Sequence, residues 1–131
     1  MARPPHFLVP LLTTTAGAWE LAVARLEKPL ATRVEGAFDS KSRTHGLLGR
    51  SSFAEGAALV IAPSGAVHTF GMKFPIDVAF CDRYGFVLHK TTLVPGRISR
   101  PIWRSYFAIE ARAGSFERWK LEPGDVIEIR G

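Results

Sequence analysis

Ala57-Ala58-Leu59-Val60-Ile61-Ala62 and Ile76-Asp77-Val78-Ala79-Phe80-Cys81 are the stretches whose reading decides the fold. The first lies between Gly56 and Pro63, and the second follows Pro75. Short apolar runs bounded by turn residues predict strands buried on both faces rather than amphipathic helices. Between them, Val67 to Phe70 predicts a further strand. Gly71 to Pro75 predicts an irregular crossing, because proline restricts the preceding residue and donates no hydrogen bond.

Outward from these runs, turn signals recur at short intervals. Asp82-Arg83-Tyr84-Gly85 has a hairpin composition, and Phe86 to Thr91 should return antiparallel. Tyr106 to Arg112 and Asp125 to Ile129 read as later strands, and Trp19 to Arg25 and Leu30 to Phe38 as earlier ones. Asp39 predicts the N-cap of a short helix ending on Leu47 and Leu48, with Gly49 as its stop. Ser115 predicts the cap of a second helix running to Trp119. The expected fold is mainly β (α+β): a small barrel-like or strongly curled, mostly antiparallel sheet with about two short helices.

The chain has 131 residues, 47% of them hydrophobic, which suits one domain with a real core. We read residues 1–18 as a flexible lead-in and 19–131 as a single β-rich domain. The one cysteine, Cys81, excludes an intramolecular disulfide framework. No stretch approaches eighteen uninterrupted apolar residues, so no spanning helix is expected. Phe7 to Leu12 is a short apolar run broken by Pro10, followed by the small residues Ala16-Gly17-Ala18. That is too little for an ordinary secretory signal. A lone cysteine suits a reducing compartment. The expectation is therefore a cytoplasmic protein, with export through a weak N-terminal signal as the alternative.

The net charge of +5 is local. From Arg83 to Ile109 there are five basic residues and no acidic one; the remainder of the chain holds twelve of each. Within that segment Arg97, Arg100 and Arg104 alternate with apolar residues and Trp103. Such a loop could hold a carboxylate partner or an anionic headgroup, or neutralise phosphates and stack bases. It could also be a solvated loop with arginines lying over aromatics that dip into the core. No recognised nucleic-acid motif supports the phosphate reading.

One ordered series of motifs remains. Ser42-Arg43-Thr44-His45-Gly46-Leu47-Leu48-Gly49-Arg50 precedes the 57–62 strand. His68-Thr69-Phe70-Gly71-Met72-Lys73-Phe74-Pro75-Ile76-Asp77 follows it, then Ala108-Ile109-Glu110-Ala111-Arg112-Ala113-Gly114, then Pro123-Gly124-Asp125. In this order the motifs resemble the domain of unknown function 192 family, over roughly residues 30 to 130. The resemblance implies a compact, mostly β, barrel-like domain with two short helices, in a family widespread in bacteria and archaea. Many members look exported or lipid-anchored, and others carry no signal. No enzymatic activity is settled for the family, so the resemblance assigns no catalytic residue. This chain is similar to a shorter-loop subgroup: Gly71 stands where a tryptophan is usual, and Lys73-Phe74-Pro75 compresses a longer segment.

Arg50, His68, Lys73, Asp77 and Glu110 are the ligand-binding candidates. Lys73 and Asp77 flank the Pro75 crossing, where they could form a pKa-shifting pair in a cleft or a structural ion pair. Glu110 lies in an apolar strand and needs a partner if buried, with Arg50 or Lys73 the expected one. Arg97, Arg100, Trp103 and Arg104 form the candidate surface for an anionic partner. His45, His68 and His89 lack the spacing of a metal site, so no metal or cofactor is expected. Cys81 ends an apolar strand and reads as a buried, inert thiol. No Gly-x-Ser-x-Gly elbow and no Walker loop is present.

No catalytic constellation is complete. The first functional expectation is a non-enzymatic binding or accessory module for an anionic ligand: a small molecule, an acidic protein or an acidic polysaccharide. One alternative is a small hydrolase-like enzyme with His68 or Asp77 as base and Lys73 or Arg50 stabilising charge. The other is an exported envelope or pilus accessory protein.

Overall fold

The computed structural model describes Leu8 and residues 19–131. In chain order the elements are β1 (Glu20–Val23), β2 (Arg33–Ala37), α1 (Ser40–His45), β3 (Ala57–Ile61), β4 (Ile76–Cys81), β5 (Val87–Leu93), β6 (Phe107–Arg112), α2 (Ser115–Trp119) and β7 (Ile127–Arg130). The expected lead-in lies outside the described residues except for Leu8, which is buried in the core. The weak signal-like residues 16–18 lie outside them as well.

The apolar runs that start at Ala57 and Ile76 form β3 and β4, and every residue in both strands is buried. They lie in a five-stranded sheet of order β2-β3-β6-β4-β5. All its pairings are antiparallel except β2 with β3. A second sheet pairs β1 with β7, antiparallel.

The sheets do not close into a barrel. They are joined edge to edge by two isolated bridges, Leu21 with Ala31 beside β2 and Phe86 with Val126 beside β5. The strand order thus runs in a ring that is laddered over most of its circuit and only stitched at two points. Stitching of this kind covers edges that would otherwise template pairing with other chains.

Two apolar clusters follow from strand alternation. Inside the ring lie Val60, Ala79, Cys81, Ile109 and Ala111 from the large sheet, Leu21 and Ile127 from the small one, and Phe116 and Trp119 from α2. On the opposite face of the large sheet lie Leu59, Ile61, Val78, Phe80 and Ala108, covered by Leu47, Phe53 and Met72. The centre of the large sheet is therefore buried on both faces, which is why β3 and β4 read as continuous apolar runs rather than alternating ones.

Three local expectations are corrected. Val67 to Phe70 is not a strand; its extended backbone makes a single bridge, His68 with Ile98. The helix α1 stops at Gly46, not Gly49, because Gly46 adopts φ 49° and ψ −124°, a conformation open in practice only to glycine. Asp39 is its N-cap as expected, accepting from the Ser42 amide. Ser115 does not cap α2; the N-cap is Gly114, in the left-handed region at φ 92°.

Candidate functional site

Asp77 supplies what Ser115 does not. Its Oδ2 accepts from the Gly114 and Phe116 amides, both at 3.0 Å, and its Oδ1 accepts from Thr92 Oγ1 at 2.6 Å. A carboxylate from β4 thereby satisfies the first amides of a helix 37 residues further along. Asp77 shares its face with Ala111, opposite it in the β4–β6 register. That is the inner face of the ring.

Glu110 faces the other way. It lies opposite Val78 on β4 and Leu59 on β3, and Leu59 lies opposite Glu35 on β2. Glu35, Leu59, Glu110 and Val78 thus form one row across the outer face. Arg50 reaches the end of this row and grips Glu35 with both nitrogens, at 2.9 and 3.0 Å. It also lies 5.3 Å from the centre of the Phe53 ring. The Arg50 guanidinium holds the Glu35 carboxyl below its ordinary range, with partial burial opposing.

Arg50 is therefore committed to Glu35, and the expected Arg50–Glu110 pair does not form. Two strand spacings, roughly 10 Å, separate Glu35 from Glu110. Lys73 is exposed and does not replace it. Glu110 is only 4% exposed and sits between Leu59 and Val78. Burial pushes its carboxyl up to about 7, and no ion pair or hydrogen bond among the described residues opposes that shift.

Glu110 opens into a cleft of about 380 Å³. The C-terminal half of α1 forms one rim, with Arg43 and His45. The extended segment 63–68, ending in His68, forms the opposite rim. Met72 and Ile61 supply apolar wall. Arg43 ties the two rims together, with its Nε donating to the Asp39 carbonyl and its Nη1 to the Pro63 carbonyl, each at 3.3 Å. Gly46, which stops α1, lies so close to the acid that a Cβ there would be 3.7 Å from Glu110 Oε1. The glycine thus shapes the approach to the carboxyl as well as the turn.

Of the five candidates, the structure brings together His68 and Glu110. Arg50 stands at the end of the sheet row, Lys73 is exposed away from the cleft, and Asp77 is on the inner face. A second cavity, of about 410 Å³, does include Asp77 with Lys90 and Glu122. Those three are engaged: Asp77 caps α2, and Lys90 donates to the Leu121 carbonyl and to Glu122. His45 lines the cleft with His68, while His89 lies elsewhere, beside Arg100.

Arg43, Gly46 and Met72 belong to the cleft and were not singled out from the sequence as site residues. Their signal was the motif order, since the Ser42–Arg50, His68–Asp77 and Ala108–Gly114 segments each contribute a wall. Arg97, Arg100, Trp103 and Arg104 are exposed, on a loop next to the 63–68 rim. The Arg104 guanidinium lies 5.6 Å from the Trp103 ring centre, yet Trp103 is 86% exposed, so this ring does not dip into the core. Burial pushes the Cys81 thiol up, which accords with an inert buried cysteine.

A ring of two stitched sheets, with a carboxyl-floored cleft on its outer face, defines a small β-rich domain class. The chain belongs to the domain of unknown function 192 family (DUF192, "Uncharacterized ACR"), whose model matches residues 22–129. Two crystal structures share the fold. A protein of unknown function from Novosphingobium aromaticivorans superposes with a TM-score of 0.74 at 19% identity, covering 83% of each chain. A protein from Sinorhizobium meliloti, provisionally named a transcription regulator, superposes with a TM-score of 0.70 at 23% identity, covering 88% of this chain and 96% of its own. No curated protein matches the chain.

Proposed function

We propose that the protein is a binding module whose outer-face cleft takes a small anionic ligand. The observation that carries this reading is Glu110: a buried carboxyl, without a partner among the described residues, facing a cleft rimmed by Arg43, His45 and His68. The Arg43 guanidinium and the imidazoles on the rim suit a carboxylate or another oxyanion. Glu110 suits a polar group carried deeper, because near neutral pH it can donate a hydrogen bond when protonated and accept one when ionised. Hydroxy acids, amino acids and uronic acids combine these features. The volume is at the small end for ligand pockets, so a polymer would enter by its end.

Titrating a panel of such acids, with the His45 and His68 ring signals followed by NMR, tests this. Binding should shift both rings and weaken at least tenfold in Arg43→Ala, since a charge-assisted contact is lost. A panel that moves neither ring, or unchanged binding in Arg43→Ala and His68→Ala, overturns the reading.

The enzymatic alternative now rests on different residues. Asp77 and Arg50 are engaged elsewhere, but a carboxyl with a pKa about 7 beside imidazoles is poised for acid–base work. Turnover of a panel acid derivative that disappears in Glu110→Gln, while binding persists, would favour that reading.

A further inference from the structure

We propose that the loop carrying Arg97, Arg100, Trp103 and Arg104 docks the protein onto an anionic lipid bilayer, with its apolar side chains entering the headgroup layer. This is independent of what the cleft binds.

The loop is held in place by the segment beside it. The Thr69 amide donates to the Arg97 carbonyl at 2.8 Å, the Ser99 amide to the Val67 carbonyl at 2.8 Å, and the Ile102 amide to the Gly65 carbonyl at 2.9 Å. Thr69, itself buried, donates through Oγ1 to the Val94 carbonyl at 2.6 Å and accepts from the Arg97 amide at 2.9 Å. These bonds fix two strips of chain side by side along one rim of the molecule.

Both strips are apolar at exposed positions. Trp103 is 86% exposed, Ile98 67% and Phe70 53%. Folding does not hide these side chains, although each lies next to a residue that the rim bonds hold. Both strips are also free of acid: no Asp or Glu occurs from Pro63 to Ile76 or from Arg83 to Ile109. Exposed Arg97, Arg100, Arg104 and Lys73 lie on them.

Protruding aromatic and aliphatic side chains among arginines, with no neighbouring carboxylate in sequence, match the chemistry of an anionic interface. A bilayer accepts protruding side chains without a preformed socket, whereas a folded partner needs one shaped for Trp103 and Ile98. Nucleic acid fits less well. One face of the Trp103 indole has the Arg104 guanidinium over it, which leaves a poorer platform for a stacked base.

The test uses the full chain with vesicles of phosphatidylcholine alone or mixed with phosphatidylserine. Trp119 is buried and Trp19 partly so, which makes Trp103 the tryptophan in water. Its emission should shift to the blue on mixed vesicles, and sedimentation should show binding that falls with added salt. Arg97→Gln and Arg100→Gln should each lower the partition constant about fivefold. Trp103→Ala should lower it severalfold without altering the circular dichroism spectrum. Failure to bind mixed vesicles overturns the proposal. So does binding that these variants leave unchanged, or binding to poly-glutamate or duplex DNA in place of vesicles.

Discussion

Glu110 is a group whose ionisation and folding oppose each other. Its folded pKa, about 7, lies above the ordinary 4.5, so the unfolded chain releases this proton first. Its contribution is most favourable below about pH 4.5, declines as pH rises through the folded value, and is flat above it. The span is about 3 kcal/mol. Glu110→Gln keeps the shape without the charge. Urea unfolding from pH 4 to 8 should show the wild type losing about that much relative to the variant. Parallel curves would mean that Glu110 is not held neutral. The sequence marked Glu110 as a carboxyl needing a partner. It did not show that the expected cation, Arg50, would choose Glu35, because that choice depends on the parallel β2–β3 register, a long-range feature.

At the scale of elements, Asp77 joins two pieces that local signals cannot connect. Sequence reasoning placed β4, the crossing before it and α2 within a few residues. It misassigned the cap of α2 because Ser115 fits a local rule, while the actual acceptor comes from another strand. The failed strand at Val67–Phe70 has a similar cause. Its apolar pattern suits extended backbone, but Val67 and Thr69 spend their hydrogen bonds on an irregular loop, not a neighbouring strand. Asp77→Ala strips two backbone amides and Thr92 of their acceptor and should cost about 2–3 kcal/mol in urea unfolding. Asp77→Asn retains one carbonyl oxygen and should cost less. In either folded variant the cleft should bind its ligand with near wild-type affinity, since Asp77 lies on the opposite face of the sheet. A large affinity loss in folded Asp77→Asn would show that the two faces are coupled.

For the whole molecule, composition and turn spacing sufficed for a small β-rich domain with two short helices. Whether the ring closes was not legible. That turns on single bridges at Ala31 and Phe86, positions with no distinctive composition. The convergence of three motif segments on one cleft was legible only as an order of words along the chain. Alternation within β4 and β6 would have sorted Asp77 from Glu110 once their antiparallel register was known. Across the sheet, that register separates a carboxylate that caps α2 from a buried one left with apolar neighbours.

Cys81 sits at the end of β4, wholly buried inside the ring, and is the chain's sole thiol. The molecule therefore carries its own clock. A thiol reagent in excess can react only when β4 parts from its neighbours, so the labelling rate reads how often the ring comes apart. The native protein should label far more slowly than the urea-unfolded chain. Asp77→Ala should quicken labelling by about thirtyfold for each 2 kcal/mol lost, if ring opening and unfolding are one event. A smaller change would mean that the strand escapes by a private route, with the α2 cap still in place.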